Sequence, residues 1–368
     1  MCRSFSLLKG LNITFKTGSG SRVTDERIAG RYVEAWITGR VLLPGQAIGF
    51  AEDDEAAGLA SANLIDSDIL FVPTGVNVDD FGGTVVEYDG RFRAAGDEIT
   101  VCGHTVELQD YLASGFVDIV GPTCAQIQDL REWDAFIADA DEVRSGAPFP
   151  RQFLESGLLL GGTFSLLAES SLDGQSFRPY FSKDGKVFAG PQGKALDALE
   201  LQEFRSARPG AVAEFEGAVP SVTIERDCGA RPWLGRYIRA FELLKRTNRD
   251  ADACIIGFGH SILDDGLDDA APSHHAPYLS LVEQEVVLED LATGRRFRTP
   301  LQTAAAVEAL MTSSERSRSE ERLAGYLAIG QERARRMLDE VASQFGFESP
   351  ASLQRNWVVS KSSVGRAR

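Results

Sequence analysis

Tyr278-Leu-Ser-Leu-Val282, Glu285-Val-Val-Leu-Glu289 and Arg295-Arg-Phe-Arg-Thr299 are the segments that decide the fold of this chain. Each is short and rich in apolar or β-branched residues, and turn residues such as Ala292-Thr-Gly294 separate them, a pattern typical of β-strands. Three segments with helical periodicity follow and extend to Phe347. Three strands and then three helices predict a small winged helix-turn-helix domain over residues 276–350.

The sequence also marks the limits of the three predicted helices. Thr299-Pro300 predicts an N-cap followed by proline at the first helical position. Ser317-x-x-Glu320 has the spacing of a capping box and predicts the start of the second helix. The third helix, which ends before Gly346, has the clearest apolar face, formed by Ala334, Met337, Leu338, Val341 and Phe345.

Two kinds of ligand fit this predicted geometry. In a DNA-binding domain the third helix would enter the major groove and contact bases or phosphates through Gln331, Arg333 and Arg336. In a peptide-binding domain a peptide strand would pair with the exposed edge of the third strand, in a groove whose other wall is the third helix. The candidate peptide-binding residues are then Arg295, Arg296, Phe297, Arg298, Thr299, Arg333 and Arg336.

The three arginines of the predicted edge strand, Arg295, Arg296 and Arg298, have two possible roles. They could pair with acidic side chains of a bound peptide, or they could only keep an edge strand from pairing with other chains. The sequence leaves both roles open.

Length and charge restrict the function of the whole chain. The 368 residues suffice for two or three domains. The net charge is -16, and residues 1–275 carry a balance of -17 whereas residues 276–368 carry +1. A strongly acidic body argues against broad binding of a phosphate backbone, which requires a cationic face.

The cysteines and the N-terminus predict a cytoplasmic protein. The five cysteines are far apart and form no Cys-x-x-Cys pair, which is typical of a reducing compartment. The segment Met-Cys-Arg-Ser-Phe-Ser at the start has no apolar stretch of signal-peptide length. The chain also lacks a run of about 18 apolar residues that could span a bilayer.

The region before residue 276 predicts an α+β arrangement, with a mostly β or mixed body over residues 26–210. A flexible N-terminus is predicted over 1–25, a helix-containing α/β segment with an acidic loop over 211–275, and a C-terminal tail over 351–368. The small residues of Pro209–Pro220 predict a boundary or long loop.

Within the body and the following segment, apolar periodicity and turn residues predict individual elements. Strands are predicted at Ile69–Val72, Phe116–Val120 and Cys254–Phe258. Helices are predicted at Cys124–Val143 and Trp233–Lys245. Hairpins are predicted with turns at Asp89-Gly90, at Gly103 and at Lys183-Asp-Gly185.

No arrangement of residues typical of a catalytic centre, a metal site or a cofactor site occurs in the sequence. His274-His275 follows several aspartates, but adjacent histidines point apart and lack the spacing of a zinc site. Gly190-Pro-Gln-Gly-Lys194 lacks the spacing of a phosphate-binding loop, so a plain turn is predicted. Cys124 and Cys254 are candidate nucleophiles, although a buried free cysteine is the usual case. We therefore predict no catalytic residue, no metal and no cofactor.

The order of elements after residue 276 resembles the RiPP recognition element, a domain that binds leader peptides of ribosomally made, post-translationally modified peptides. The segment Leu323–Leu353 also resembles helix-turn-helix regulators of the LuxR type. The body of the chain, before residue 276, is also similar to daptide biosynthesis recognition proteins. The segments that carry this similarity are Gln109-Asp-Tyr111, Ser114-Gly-Phe116, Gly121-Pro-Thr123, Ala138-Asp-Ala-Asp141, Arg231-Pro-Trp-Leu-Gly-Arg-Tyr237 and Gly257-Phe-Gly259.

The similarity implies a non-catalytic subunit that binds the leader of a precursor peptide and presents it to modifying enzymes. The implied partners are the precursor and enzymes such as a decarboxylase, an aminotransferase or a methyltransferase, with no membrane and no nucleic acid. Two alternatives stay open from the residues. One is a transcription regulator that binds DNA, and the other is an enzyme with an unrecognised site in residues 30–210.

Overall fold

The computed structural model describes residues 21–40, 42–43, 45–167, 177–207, 210–247, 254–263, 272, 274, 276–282, 285–291 and 294–345. The chain folds into two compact units. We call them the body, formed by Met1–Glu142, Pro148–Glu225 and Phe241–Asp252, and the C-terminal unit, formed by Val143–Ala147, Arg226–Ala240 and Ala253–Arg368.

The body is built on a large mixed sheet. Its strands are β1 (Ser21–Arg22), β2 (Ile48–Ala51), β3 (Ile69–Pro73), β4 (Thr84–Gly90), β5 (Glu98–Val101), β6 (His104–Asp110), β7 (Thr123–Gln126), β8 (Leu158–Leu160), β9 (Tyr180–Phe181), β10 (Val187–Phe188) and β11 (Ala195–Leu196).

The order of strands in this sheet is β11-β10-β9-β2-β3-β4-β5-β6-β7-β8, and β1 pairs with β4. The neighbours β9, β2, β3 and β4 are parallel, as are β6, β7 and β8. The pairs β4–β5, β5–β6, β9–β10 and β10–β11 are antiparallel. The protein is therefore a mixed α/β protein with a large sheet, consistent with the α+β class.

Ten α-helices lie within the described residues. They are α1 (Glu26–Thr38), α2 (Asp54–Asn63), α3 (Leu130–Arg144), α4 (Ala198–Ala207), α5 (Ala211–Phe215), α6 (Ser221–Ala230), α7 (Leu234–Thr247), α8 (Leu301–Thr312), α9 (Arg316–Leu327) and α10 (Gln331–Phe345).

The elements predicted for the mostly β or mixed body do not include the helices α1 and α2. Asp25 caps α1 by accepting hydrogen bonds from the amides of Arg27 and Ile28. Asp53 caps α2 in the same way through the amide of Ala56. The helix α2 connects the parallel strands β2 and β3. Antiparallel strands can be joined by a short turn, whereas parallel strands require a longer crossover connection such as this helix.

Three other predictions for the body are confirmed. Ile69–Val72 lies within the buried strand β3. The β5–β6 hairpin turns at Cys102 and Gly103, both of which have positive φ. The β9–β10 hairpin turns at Gly185, with φ 72°.

The predicted turn at Asp89-Gly90 is wrong, because both residues belong to β4 and pair with Thr100 and Ile99 of β5. The chain turns later, where the Asp97 carboxylate accepts hydrogen bonds from the amides of residues 93 and 94. Gly90 is required in the strand, since its φ is 103° and a Cβ atom there would lie 2.1 Å from the Glu98 carbonyl oxygen.

Two predictions between residues 116 and 143 are also corrected. Phe116–Val120 is not a strand, and Phe116 and Val120 are 88% and 95% exposed. The segment connects the adjacent strands β6 and β7, and the structure gives it no partner strand. The helix predicted from Cys124 begins only at Leu130, because Thr123–Gln126 forms β7 and Asp129 accepts a hydrogen bond from the amide of Glu132.

The predicted loop over Pro209–Pro220 contains the helix α5, with residues 208 and 209 outside the described part of the chain. Glu214 of this helix forms a buried ion pair with Arg178, and both side chains are 2% exposed. Arg178 also donates to the carbonyls of Trp36 and Ile37 at the end of α1, at 2.5 and 2.6 Å. This pair fixes α1 and α5 beside β9, as buried charges must be paired to be tolerated.

The C-terminal unit contains a small antiparallel sheet in the order β12-β13-β14-β15. Its strands are β12 (Cys254–Ile255), β13 (Tyr278–Val282), β14 (Glu285–Glu289) and β15 (Arg296–Thr299). The strands predicted from Tyr278, Glu285 and Arg295 are therefore confirmed, and the prediction at Cys254–Phe258 is confirmed for its first two residues. The helices α8, α9 and α10 follow as predicted.

The helices α8–α10 cover one face of this small sheet. Leu279, Val286 and Leu288 pack there with Leu310 and Leu338 in one buried cluster. On the opposite face, the Arg236 guanidinium of α7 lies 4.0 Å from the ring centre of Tyr278. The middle strands are thus buried on both faces, whereas three of the four residues of β15 are exposed.

Two helix starts differ from their predictions. The N-cap of α8 is Pro300 rather than Thr299, whose hydroxyl donates to the Phe297 carbonyl oxygen instead. The N-cap of α9 is Glu315, so Ser317 lies inside the helix and forms no capping box. Glu320 has another role, which is to accept two hydrogen bonds from the Arg335 guanidinium at 3.1 and 3.2 Å.

Candidate peptide-binding edge

The candidate site is the outer edge of β15, the last strand of the small sheet. On its inner side β15 pairs with β14, with Leu288 opposite Phe297 and Val287 opposite Arg298. In the part of the chain that the structure describes, no strand pairs with its outer side. An unpaired strand edge presents a row of backbone donors and acceptors.

The register identifies which backbone groups point outward. The Asp290 amide donates to the Arg295 carbonyl oxygen at 2.9 Å, so this pair is of the hydrogen-bonded type. Such pairs alternate along antiparallel strands, and the next one is Leu288 with Phe297. The N–H and C=O groups of Arg296 and Arg298 therefore face away from β14, and no described residue hydrogen-bonds to them.

The side chains of β15 alternate between the two faces of the sheet. Phe297 lies on the face covered by helices, together with Val286 and Leu288 of β14. Its ring is 40% exposed and packs edge-on against Phe345 of α10, with 5.8 Å between the ring centres. The outer edge of β15 and the end of α10 thus meet at a partly exposed aromatic pair.

Arg296 and Arg298 lie on the other face, and each has a carboxylate of β14 nearby. The Nε atom of Arg296 lies 4.0 Å from Glu289, whose side chain is 1% exposed. The Nε atom of Arg298 lies 3.1 Å from Glu285, and these two side chains are 82% and 54% exposed. Arg296 therefore neutralises a buried carboxylate, whereas Arg298 forms a surface pair of the kind that contributes at most about 1 kcal/mol.

The remaining strand candidates lie at the two ends of the edge. Arg295 is exposed, and its carbonyl accepts the hydrogen bond from Asp290. Thr299 is 8% exposed, and its hydroxyl donates to Phe297 within its own strand. Thr299 is thus the last residue of the edge strand, and its buried side chain is not available to a ligand.

The two candidates on α10 do not both face this edge. Arg336 precedes Phe345 by nine residues, which places the two side chains on opposite sides of an α-helix. Arg333 lies on a flank of the helix, and both arginines are exposed. In the described residues neither has an ion-pair partner, whereas Arg335 pairs with Glu320 of α9.

A buried carboxylate supports the helices behind the edge. Glu308 of α8 is 3% exposed and accepts hydrogen bonds from the Ser261 hydroxyl at 2.7 Å and from the amides of Ile262 and Leu263 at 2.8 and 3.2 Å. Burial raises the pKa of Glu308, and these hydrogen bonds and the charge of Arg322 oppose that shift. The carboxylate holds residues 261–263 against the helix.

The candidate nucleophiles and metal ligands lie elsewhere. Cys124 is buried in the body, and burial raises the pKa of its thiol to about 12, which disfavours the reactive thiolate. Cys254 is partly buried in β12, and His274 is 5% exposed while His275 lies outside the described residues. Among the residues with described positions, no three His, Cys, Asp or Glu side chains are grouped to hold a metal ion.

Two residues of the site, Glu285 and Glu289, were missed by the sequence reasoning. They alternate with the apolar Val286 and Leu288 along β14, so their position on the face opposite the helices could have been derived from strand periodicity. The register between β14 and β15 could not be predicted from local sequence patterns. This register places each glutamate beside its arginine.

Comparisons with models of known protein families, with curated proteins and with solved structures find no match for this chain. Within the described ranges, no helix has both the length and the apolar character needed to cross a membrane.

Proposed function

We propose that the C-terminal unit is a winged helix-turn-helix domain of the RiPP recognition type, which binds the leader of a ribosomal precursor peptide by adding it as a strand to β15. The chain is then a non-catalytic recognition subunit of a daptide-like biosynthesis. It presents the precursor to modifying enzymes such as a decarboxylase, an aminotransferase or a methyltransferase in the cytoplasm.

The observation that carries this proposal is the outward backbone of β15. Arg296 and Arg298 offer two N–H and two C=O groups at one edge, and a peptide strand can pair with all four. Main-chain hydrogen bonds of this kind supply affinity without requiring a particular sequence. The adjoining pair of Phe297 and Phe345 adds apolar contact area on one side of the same edge.

The alternative of DNA binding has one observation in its favour. Arg333 and Arg336 on α10 are exposed and form no ion pair with any residue that the structure describes. The same helix exposes Glu332, Asp339 and Glu340, whose charges oppose contact with phosphates. We therefore favour a peptide ligand and treat DNA as the second outcome of the test.

The test first searches the DNA beside this gene for a short reading frame that could encode a precursor peptide. The labelled leader part of that peptide is then titrated with the full-length protein by fluorescence anisotropy. Arg298→Pro removes one outward donor, while Arg298→Ala at the same position keeps the backbone and removes only the side chain. We expect Arg298→Pro to bind about tenfold more weakly than Arg298→Ala, as expected for one lost backbone hydrogen bond.

Equal binding by these two variants would contradict strand addition at β15. A labelled DNA duplex is titrated in parallel. Saturable DNA binding that Arg333→Glu and Arg336→Glu abolish, and that Arg298→Pro leaves unchanged, would support the regulator instead.

A further inference from the structure

We infer that the peptide bound at β15 alternates apolar and acidic residues, and that Arg298 is the residue that reads the acidic positions. This inference rests on the proposed function, because it assumes strand addition at the edge of β15. It goes further by specifying the class of peptide and by separating the roles of the two central arginines.

The apolar half of the pattern follows from the side of β15 that faces the helices. A strand added to β15 lies about 4.8 Å away, and every second side chain points to the same face as Phe297. On that face the nearest surfaces are the Phe297 ring, 40% exposed, and Phe345 of α10. Peptide residues at those positions gain contact by being apolar, since they remove exposed aromatic area from water.

The acidic half follows from the opposite face. The intervening peptide residues point to the side of Arg298, whose side chain is 82% exposed. Its present partner, Glu285, is itself 54% exposed, so the pair is weak and a peptide carboxylate can share the guanidinium at little cost. A basic residue at the same position would meet a like charge on the neighbouring strand, which disfavours binding.

Arg296 lies on the same face but has a different role. Its neighbour Glu289 is 1% exposed and also accepts a hydrogen bond from the Ser280 hydroxyl at 3.2 Å. Removing the charge of Arg296 would take away a cation that lies 4.0 Å from a buried carboxylate, which destabilises a fold. Arg296 is therefore a structural residue of the sheet, and Arg298 alone is free to be reversed without loss of the fold.

The experiment titrates the full-length protein with three short labelled peptides. In the first, leucine and glutamate alternate; the second has the same composition in blocks; in the third, leucine and lysine alternate. We expect the alternating leucine–glutamate peptide to bind most tightly. Arg298→Glu should weaken that peptide by about tenfold and strengthen the leucine–lysine peptide, because the charge at the edge is reversed.

Matched controls separate the site from the general surface. Arg336→Glu makes the same charge change on the side of α10 opposite Phe345 and should leave all three affinities unchanged. For the apolar face, Phe297→Ser should weaken the leucine–glutamate peptide, whereas Tyr326→Ser should not, although Tyr326 is similarly exposed at 37%. Unfolding curves of each variant show whether the fold is kept, and Arg298→Glu decides the charge preference even if Phe297→Ser unfolds.

The outcomes distinguish this inference from the proposal beneath it. If the natural leader binds and Arg298→Pro weakens it, but Arg298→Glu and Arg336→Glu act alike on the synthetic peptides, the alternating pattern is wrong and strand addition stands. If neither the leader nor any synthetic peptide responds to Arg298→Pro, the proposed function itself fails.

Discussion

Two of the sheet edges in this protein, those of β8 and β15, differ in whether their outward backbone groups have hydrogen-bond partners. In the body, β8 is the edge strand beside β7, and the amides of Thr123 and Gly161 donate between the two strands. In a parallel pair, only every second residue of a strand directs its backbone N–H and C=O groups to the neighbouring strand. The backbone groups of Leu158 and Leu160 therefore point away from β7. Three of these four outward groups have partners. The Leu158 carbonyl accepts from the Lys245 ammonium, and the Leu160 carbonyl accepts from the Thr163 hydroxyl at 3.1 Å.

The amide of Leu158 is satisfied as well, because it donates to the Glu155 carbonyl at 3.1 Å. In the C-terminal unit, the outward groups of Arg296 and Arg298 have no partner among the described residues. A protein that closes one edge with a lysine and a threonine could close another edge in the same way. The proposed addition of a peptide strand at β15 requires this contrast between the two edges.

The largest effect is expected from Phe297→Pro, which acts on the inner side of β15. The Phe297 amide belongs to the hydrogen-bonded pair with Leu288, so proline removes a ladder bond and leaves a carbonyl unpaired. We expect the free energy of unfolding to fall by about 3 kcal/mol, whereas Arg298→Pro should cost far less because its amide faces outward. Urea denaturation measures both, and equal losses would show that the assigned register is wrong.

The order of the C-terminal elements could be predicted from the sequence because each strand and helix has its own periodicity. Alternation in Glu285–Glu289 and the apolar stripe that ends at Phe345 are local patterns. The open edge could be predicted only as a possibility, since the register of β14 on β15 depends on contacts between segments. The roles of Arg296 and Arg298 diverge for that reason, although the two residues look equivalent in the sequence.

The body was less predictable because its sheet is mixed. Parallel neighbours such as β2 and β3 come from separate segments, and the pairing depends on the crossover helix α2 rather than on a turn. The helix is short and rich in alanine, so its apolar face is weak in the sequence. The segment Phe116–Val120 has a sequence pattern typical of a strand but does not form one. It connects β6 and β7, and each of these strands already has a neighbour on both sides.

A second test of the difference between the two edges uses pH. It concerns Lys245, whose ammonium donates to the outward Leu158 carbonyl of β8. Burial lowers the pKa of Lys245 to about 8, against the opposing charges of Glu242 and other carboxylates. The unfolded chain binds the proton up to its ordinary pKa of 10.5, so between about pH 8 and 10.5 the unfolded state holds more protons than the folded state. Stability should therefore rise with pH in that window, by at most about 1.4 kcal/mol per pH unit.

Lys245→Met removes this titration and keeps a long side chain at the edge. Urea denaturation at several pH values should show the rise in the wild type and a smaller rise, or none, in the variant. The difference between the two proteins isolates Lys245 from tyrosines that titrate at higher pH. If the free energy of unfolding changes with pH in the same way in both proteins, the Lys245 ammonium is hydrated. The Leu158 carbonyl would then lack this partner.

The smallest effect separates two threonines that each donate to a strand carbonyl. Thr163 donates to the outward Leu160 carbonyl of β8, and Thr299 donates to the Phe297 carbonyl of β15, which already belongs to the ladder with β14. Valine has the shape of threonine without the hydroxyl. Thr163→Val should therefore cost about 1 kcal/mol by leaving its carbonyl unpaired, and Thr299→Val should cost less than about 0.5 kcal/mol. Chemical denaturation of both variants measures the difference. A larger loss for Thr299→Val would mean that the Phe297 carbonyl depends on that hydroxyl, and the inner and outer sides of β15 would then have to be exchanged.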